Sequence, residues 1–168
     1  MTLSTAVVNR HEAWVYFRSS MSPAITYSFP TGTLNHNQCD QLQSPISAAL
    51  LPTLGYNATT PQCIVHGPPQ LGGIGIPHFF TEQGAQKIRT IMQHIRSYST
   101  VGQVLHICIA WAQKVAGTSS SILETPAQYI PHLCEEQWIT TLMDFFELSK
   151  LSLKSMASHS QTNNATTT

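Results

Sequence analysis

With 168 residues, 42% of them apolar, the chain has the length of one domain and enough apolar side chains for a real core. Only 10% of residues are charged, eight basic against eight acidic, where about 25% is usual; such a surface calls for a cover, and the neutral balance excludes strong nonspecific nucleic-acid binding through counterion release. The start, MTLSTAVVNRHEAW, lacks a long apolar core, and the run Val101 to Ala116 is broken by Gln103, His106, Gln113 and Lys114, so neither a secretory leader nor a membrane span is expected and the chain reads as intracellular.

In chain order, Thr5 to Ser20 reads as an aromatic-rich helix carrying Trp14, Tyr16 and Phe17, ended by Pro23. A second helix follows the link Pro23 to Gly32, with Leu34, Cys39, Leu42, Ile46, Ala49 and Leu50 as its apolar stripe, Pro45 as a kink, and Pro52, Gly55 and Asn57 as its end. Cys63-Ile64-Val65 and Ile74-Gly75-Ile76 are β-prone runs around Gly72 and Gly73. Glycine turns a backbone tightly, so a short β-hairpin near 62–77 is expected, with Gly72, Gly73 and Gly75 as its structural turn.

Pro77 stops the second run, Thr81 is placed to cap a third helix to about Ser97, and Ile88, Ile91, Met92 and Ile95 share the spacing of one buried face. A fourth helix, Thr100 to Ala116, offers Val101, Val104, Leu105, Cys108, Ala112 and Val115 to the core, with Gly117 suited to its C-terminal cap. Thr118 to Ser121 and Thr125 to Pro131 are linker-like, and a fifth helix from about Cys134 to Leu148 carries Trp138, Leu142, Phe145 and Phe146. Ser155 to Thr168 is polar and without apolar periodicity, so residues 155–168 are expected to be a disordered tail on a mainly α, bundle-like domain over 1–154 with about five helices and one hairpin.

Chemical motifs are sparse. The glycines are neither GxGxxG nor GxxxxGK[ST], and Ile76-Pro77-His78-Phe79-Phe80 separates them from the helix, so the glycine segment is a turn and not a phosphate cradle. Cys63-x-x-His66 with His78, or His132-x-Cys134, can be nominated as ligand pairs, but no complete four-ligand pattern exists. No metal or cofactor is therefore expected. Cys39, Cys63, Cys108 and Cys134 are widely spaced in apolar contexts and read as reduced thiols. No GxSxG elbow is present, Asp40 and Asp144 are the only aspartates, and Glu135-Glu136 reads as a negative first turn of the fifth helix. On the third helix Lys87, Arg89, His94 and Arg96 form a basic cluster without an acid. At about 100° per residue Arg89 and Arg96 fall on one shoulder of the apolar stripe and Lys87 and His94 on the other. Two uses suit them: phosphate contact, or snorkelling along the edge of the core.

The ordered pieces LLPTLGY (Leu50 to Tyr56), His66-Gly67-Pro68, LGGIGI (Leu71 to Ile76), Thr81-Glu82-Gln83 and His94-Ile95-Arg96 resemble the segment after the catalytic palm in LINE-like, non-LTR retroelement reverse transcriptases. The likeness extends upstream to Trp14 and the Pro23 to Tyr27 turn and downstream to Trp138. It implies a helical, thumb-like or connecting element that helps hold an RNA/DNA template-primer, with Lys87, Arg89 and Arg96 as the candidate backbone contacts and a missing palm domain as a partner. The family's Tyr-x-Asp-Asp turn, whose carboxylates hold two divalent metals, is absent from this sequence, so no catalytic residue carries over and no polymerase activity is expected. The resulting expectation is a catalytically incomplete reverse-transcriptase fragment. The alternative, from composition alone, is a helical protein-interaction module without nucleic-acid binding or catalysis.

Overall fold

The computed structural model describes residues 9–97, 99–124 and 137–153. They are mainly helical, and no strand is found among them. The expected tail over 155–168, the Thr125 to Pro131 linker and Cys134 lie outside the described residues. The chain divides into two compact units, Met1–Thr90 and Ile91–Thr168.

In the first unit α1 (Arg10–Tyr16) starts at Asn9 with a capping box, its Glu12 carboxylate accepting from the Asn9 N–H at 3.2 Å. The expected stop at Pro23 does not occur: α1 runs through a π turn, Phe17–Met21, into α2 (Ser22–Thr26), with Pro23 in the first turn of α2. Proline removes an amide donor and crowds the preceding turn. The wider π turn just upstream absorbs both effects, the Ser22 N–H reaching back to the Phe17 carbonyl.

A second capping box opens α3 (His36–Thr53), where Asn35 and Gln38 exchange side-chain to backbone hydrogen bonds of 2.9 Å each way. Pro45 and Pro52 both lie inside α3. Its buried line is Cys39, Gln43, Leu50 and Leu51 with Ile46 partly covered, while Leu42 is turned outward. Ala13 and Phe17 pack with Leu50, Leu51, Leu54, Val65, Ile74 and Ile76 into one apolar core.

The expected hairpin is replaced by helix. Pro61 precedes α4 (Gln62–His66), and its carbonyl accepts from the amides of Ile64 and Val65 at 2.9 and 3.1 Å, which takes the donors a strand would need. The carbonyls of Ile64 and Val65 are left to accept from Ile74 and Ile76, at 2.8 and 3.0 Å. Half a strand ladder thus forms against one helical turn. Between the two sides lie a 3-10 turn, Pro69–Leu71, and Gly72 and Gly75, whose φ angles of 82° and 78° are left-handed. Gly73 serves differently, because a Cβ there would run into the backbone of Gly67. Gly72 and Gly75 take their left-handed φ in a loop returning over α4 and not in a hairpin.

α5 (Phe79–His94) follows. His78 and not Thr81 caps it: the Thr81 N–H is directed at His78 Nδ1, 3.4 Å away. The buried line of α5 runs Phe80, Gln83, Gly84, Lys87 and Ile91, so Ile88 is only half covered and Met92 faces out. In the second unit Ser99 caps α6 (Thr100–Val115), and Gly117, at φ 67°, closes it in a Schellman arrangement in which Gly117 and Thr118 donate to the carbonyls of Lys114 and Gln113. α7 (Gln137–Ser149) packs on α6 and buries Ile139, Leu142, Met143, Phe145 and Phe146. Among the described residues no helix is long and apolar enough to cross a membrane.

Candidate functional site

The first unit holds a cleft of about 550 Å³ lined by one face of α3 from His36 to Leu51, the loop before α4, the turn of α4 and His78. His36 and Asp40 lie four residues apart on α3, so the helix repeat stacks them on one face, with His36 Nδ1 3.0 Å from Asp40 Oδ2. His78 comes from the segment before α5, and its Nε2 lies 3.6 Å from the other oxygen, Asp40 Oδ1.

What brings His78 there is Gln43, one turn along α3 from Asp40. Its buried amide donates to the Pro77 carbonyl at 3.0 Å and accepts from the Phe79 N–H at 2.9 Å, so the backbone on both sides of His78 is clamped to α3. Phe29 meets Phe79 edge-on at 5.7 Å behind the clamp, and the His36 ring lies 4.9 Å from the Phe80 ring.

Electrostatics separate the groups. Partial burial, followed by the neighbouring His66, lowers the His78 pKa, while Asp40 opposes the shift. Thr81 fixes the neutral tautomer: His78 Nδ1 faces the Thr81 N–H and Oγ1, the latter at 3.2 Å, which leaves Nε2–H directed at Asp40. His66 is tied into the fold, donating Nδ1–H to the Ile76 carbonyl at 2.8 Å with Nε2 2.8 Å from Gln62 Oε1. Cys39, next to Asp40 in sequence, is wholly buried, and burial with the Asp40 charge pushes its thiol up to about 11, so it remains an unreactive thiol inside the core.

The second unit offers a different surface. Leu105 and Ala112 of α6 are buried as expected, but Val101, Val104 and Val115 are not. With Ile107 and Trp111, at 68% and 50% exposure, they leave an apolar face open to solvent. Val101, Val104, Cys108, Trp111 and Val115 repeat at alternating steps of three and four residues, the seam of a coiled coil, and Lys114 Nζ sits 5.9 Å from the Trp111 ring.

The basic cluster disperses. Lys87 is completely buried, so its ammonium has no path to a phosphate at the surface. Arg89 is exposed on α5, and Arg96 is exposed beyond its end. Of the nominated metal ligands, His66 and His78 do meet, their rings 5.1 Å apart, but Cys63 faces outward and does not line the cleft. Residue spacing did not single out His36, Asp40 or Gln43. The available signals were a capped His-x-x-x-Asp on one helix face and a glutamine standing in an apolar stripe.

No family model, curated protein or solved structure matches the chain.

Proposed function

We propose that the chain is a helical protein-interaction module whose α6 pairs with α6 of a second copy. The exposed three-four apolar seam on α6 carries this reading. Such a seam meshes with a helix of the same spacing, and α6 is itself such a helix, without an acidic residue and with Lys114 as its sole basic side chain apart from His106. In an antiparallel pair the two lysines lie at opposite ends, so no charge repulsion arises, and each Trp111 supplies the large aromatic anchor on which interface energy concentrates. The sparse charge of the sequence supports the same reading. Sedimentation equilibrium is expected to show a dimer in the ~10 μM range, with Trp111→Glu and Val104→Glu monomeric and unchanged in circular dichroism. A wild-type chain still monomeric at ~200 μM, or dimers undiminished in both variants, would rule the pairing out.

A second reading rests on the exposed Arg89 and Arg96. On it the chain is a catalytically incomplete remnant resembling the post-palm region of non-LTR reverse transcriptases, and each arginine touches the phosphate backbone of an RNA/DNA template-primer. Weak binding of an RNA–DNA duplex at low salt is then expected, falling in Arg89→Ala and in Arg96→Ala with a reduced salt slope. Absence of duplex binding by a folded sample at low salt removes this reading and leaves the dimer test unaffected.

A further inference from the structure

We propose that His36, Asp40 and His78 bind a zinc ion. The three donor atoms, one from each side chain, lie within 4.8 Å of one another in the cleft of the first unit. A tetrahedral zinc with ligands at roughly 2.0–2.2 Å sets its donors about 3.3–3.6 Å apart. The separations here, 3.0 Å from His36 Nδ1 to Asp40 Oδ2 and 3.6 Å from His78 Nε2 to Asp40 Oδ1, bracket that spacing, so a small rotation of the carboxylate aims one oxygen between the two imidazoles. Two imidazoles and one carboxylate suit zinc and not magnesium or calcium, which favour oxygen-rich shells.

The surroundings are built for such an ion. The Asn35–Gln38 box fixes the first turn of α3, and the Gln43 clamp fixes the backbone on either side of His78. Binding requires the proton now directed from each ring at Asp40 to move to the other nitrogen. On His78 that is Nδ1, where Thr81 Oγ1, 3.2 Å away, becomes its acceptor, the outer-sphere partner that metal-bound imidazoles ordinarily have, while the Thr81 N–H, 3.4 Å away, loses Nδ1 as its acceptor at the start of α5. On His36 it is Nε2. The proton count is unchanged, and the fourth coordination position faces the cleft, where Ser44, Ser47 and Thr60 surround space for water.

The test is equilibrium dialysis of the full chain against Zn²⁺, with Co²⁺ as a visible-light probe. The expected result is one saturable equivalent, intense absorption of four-coordinate Co²⁺, and affinity reduced at least tenfold in Asp40→Asn, His78→Gln and His36→Gln but unchanged in His106→Gln. All variants are compared by circular dichroism without metal, and the folded ones decide. Wild-type chain that takes up no Zn²⁺ at ~100 μM, or folded variants at the three positions that bind as the wild type does, would overturn the site.

Discussion

Gly73→Ala is expected to destabilise the first unit by about 3 kcal/mol, read as a fall in the urea midpoint at unchanged slope. The added methyl meets backbone atoms of Gly67, its carbonyl oxygen foremost, and no rotamer change can relieve a clash between a Cβ and a main chain. The returning loop has to lift away from α4. Lifting it stretches the Ile74 and Ile76 hydrogen bonds to the carbonyls of Ile64 and Val65 and draws two core isoleucines with it. Gly72→Ala is the control: its Cβ would enter open space, so only the left-handed φ of 82° is penalised, at about 1–2 kcal/mol. Equal stability of Gly73→Ala and the wild type would mean that Gly67 and Gly73 do not cross.

Gln43→Leu is the second large effect, expected at about 2–4 kcal/mol although the substitution is nearly isosteric and more apolar. Leucine satisfies the core and leaves the Pro77 carbonyl and the Phe79 amide without the partner that now serves both. The Phe79 amide belongs to the first turn of α5, where intrahelical acceptors do not exist, so its loss falls on the start of that helix. Hydrogen exchange separates this mechanism from general loosening: protection of the Phe79 amide is expected to fall more than that of amides in the middle of α3. Zinc affinity is expected to fall as well, since His78 sits between the two released groups. A Gln43→Leu chain as stable as the wild type would show that the clamp contributes no net stability.

Helices with strong periodicity and a good stop were legible in the sequence. Gly117 closes α6 where its position suggested, and Phe145 and Phe146 point inward from α7. The faces were harder, because burial depends on which neighbour arrives. α6 carries apolar residues around much of its circumference, and periodicity alone could not tell the packed line of Leu105 and Ala112 from the open line of Val104 and Trp111. The hairpin failed for a related reason. Ile64 and Val65 favour strands, yet a proline ahead of them offers its carbonyl to their amides, and the local turn takes the donors first. The cleft was least legible. His36 and Asp40 are an ordinary pair until His78 is delivered beside them by a glutamine that looks, in sequence, like a polar interruption.

The π turn between α1 and α2 bears on how the length of this chain can vary. Ala13, Phe17 and Met21 are spaced four apart and all reach the core, a spacing that drifts about 40° per step in a regular α-helix and less where a turn holds an additional residue. That additional residue keeps the three side chains in line. A single deletion within residues 17–21 would restore ordinary pitch, and because the lost residue and the tighter turn offset each other, the upstream segment would rotate by only about 30° and leave Ala13 toward Leu50 and Leu51. Related chains are therefore expected to differ by one residue at this turn without changing which face of the helix meets the core.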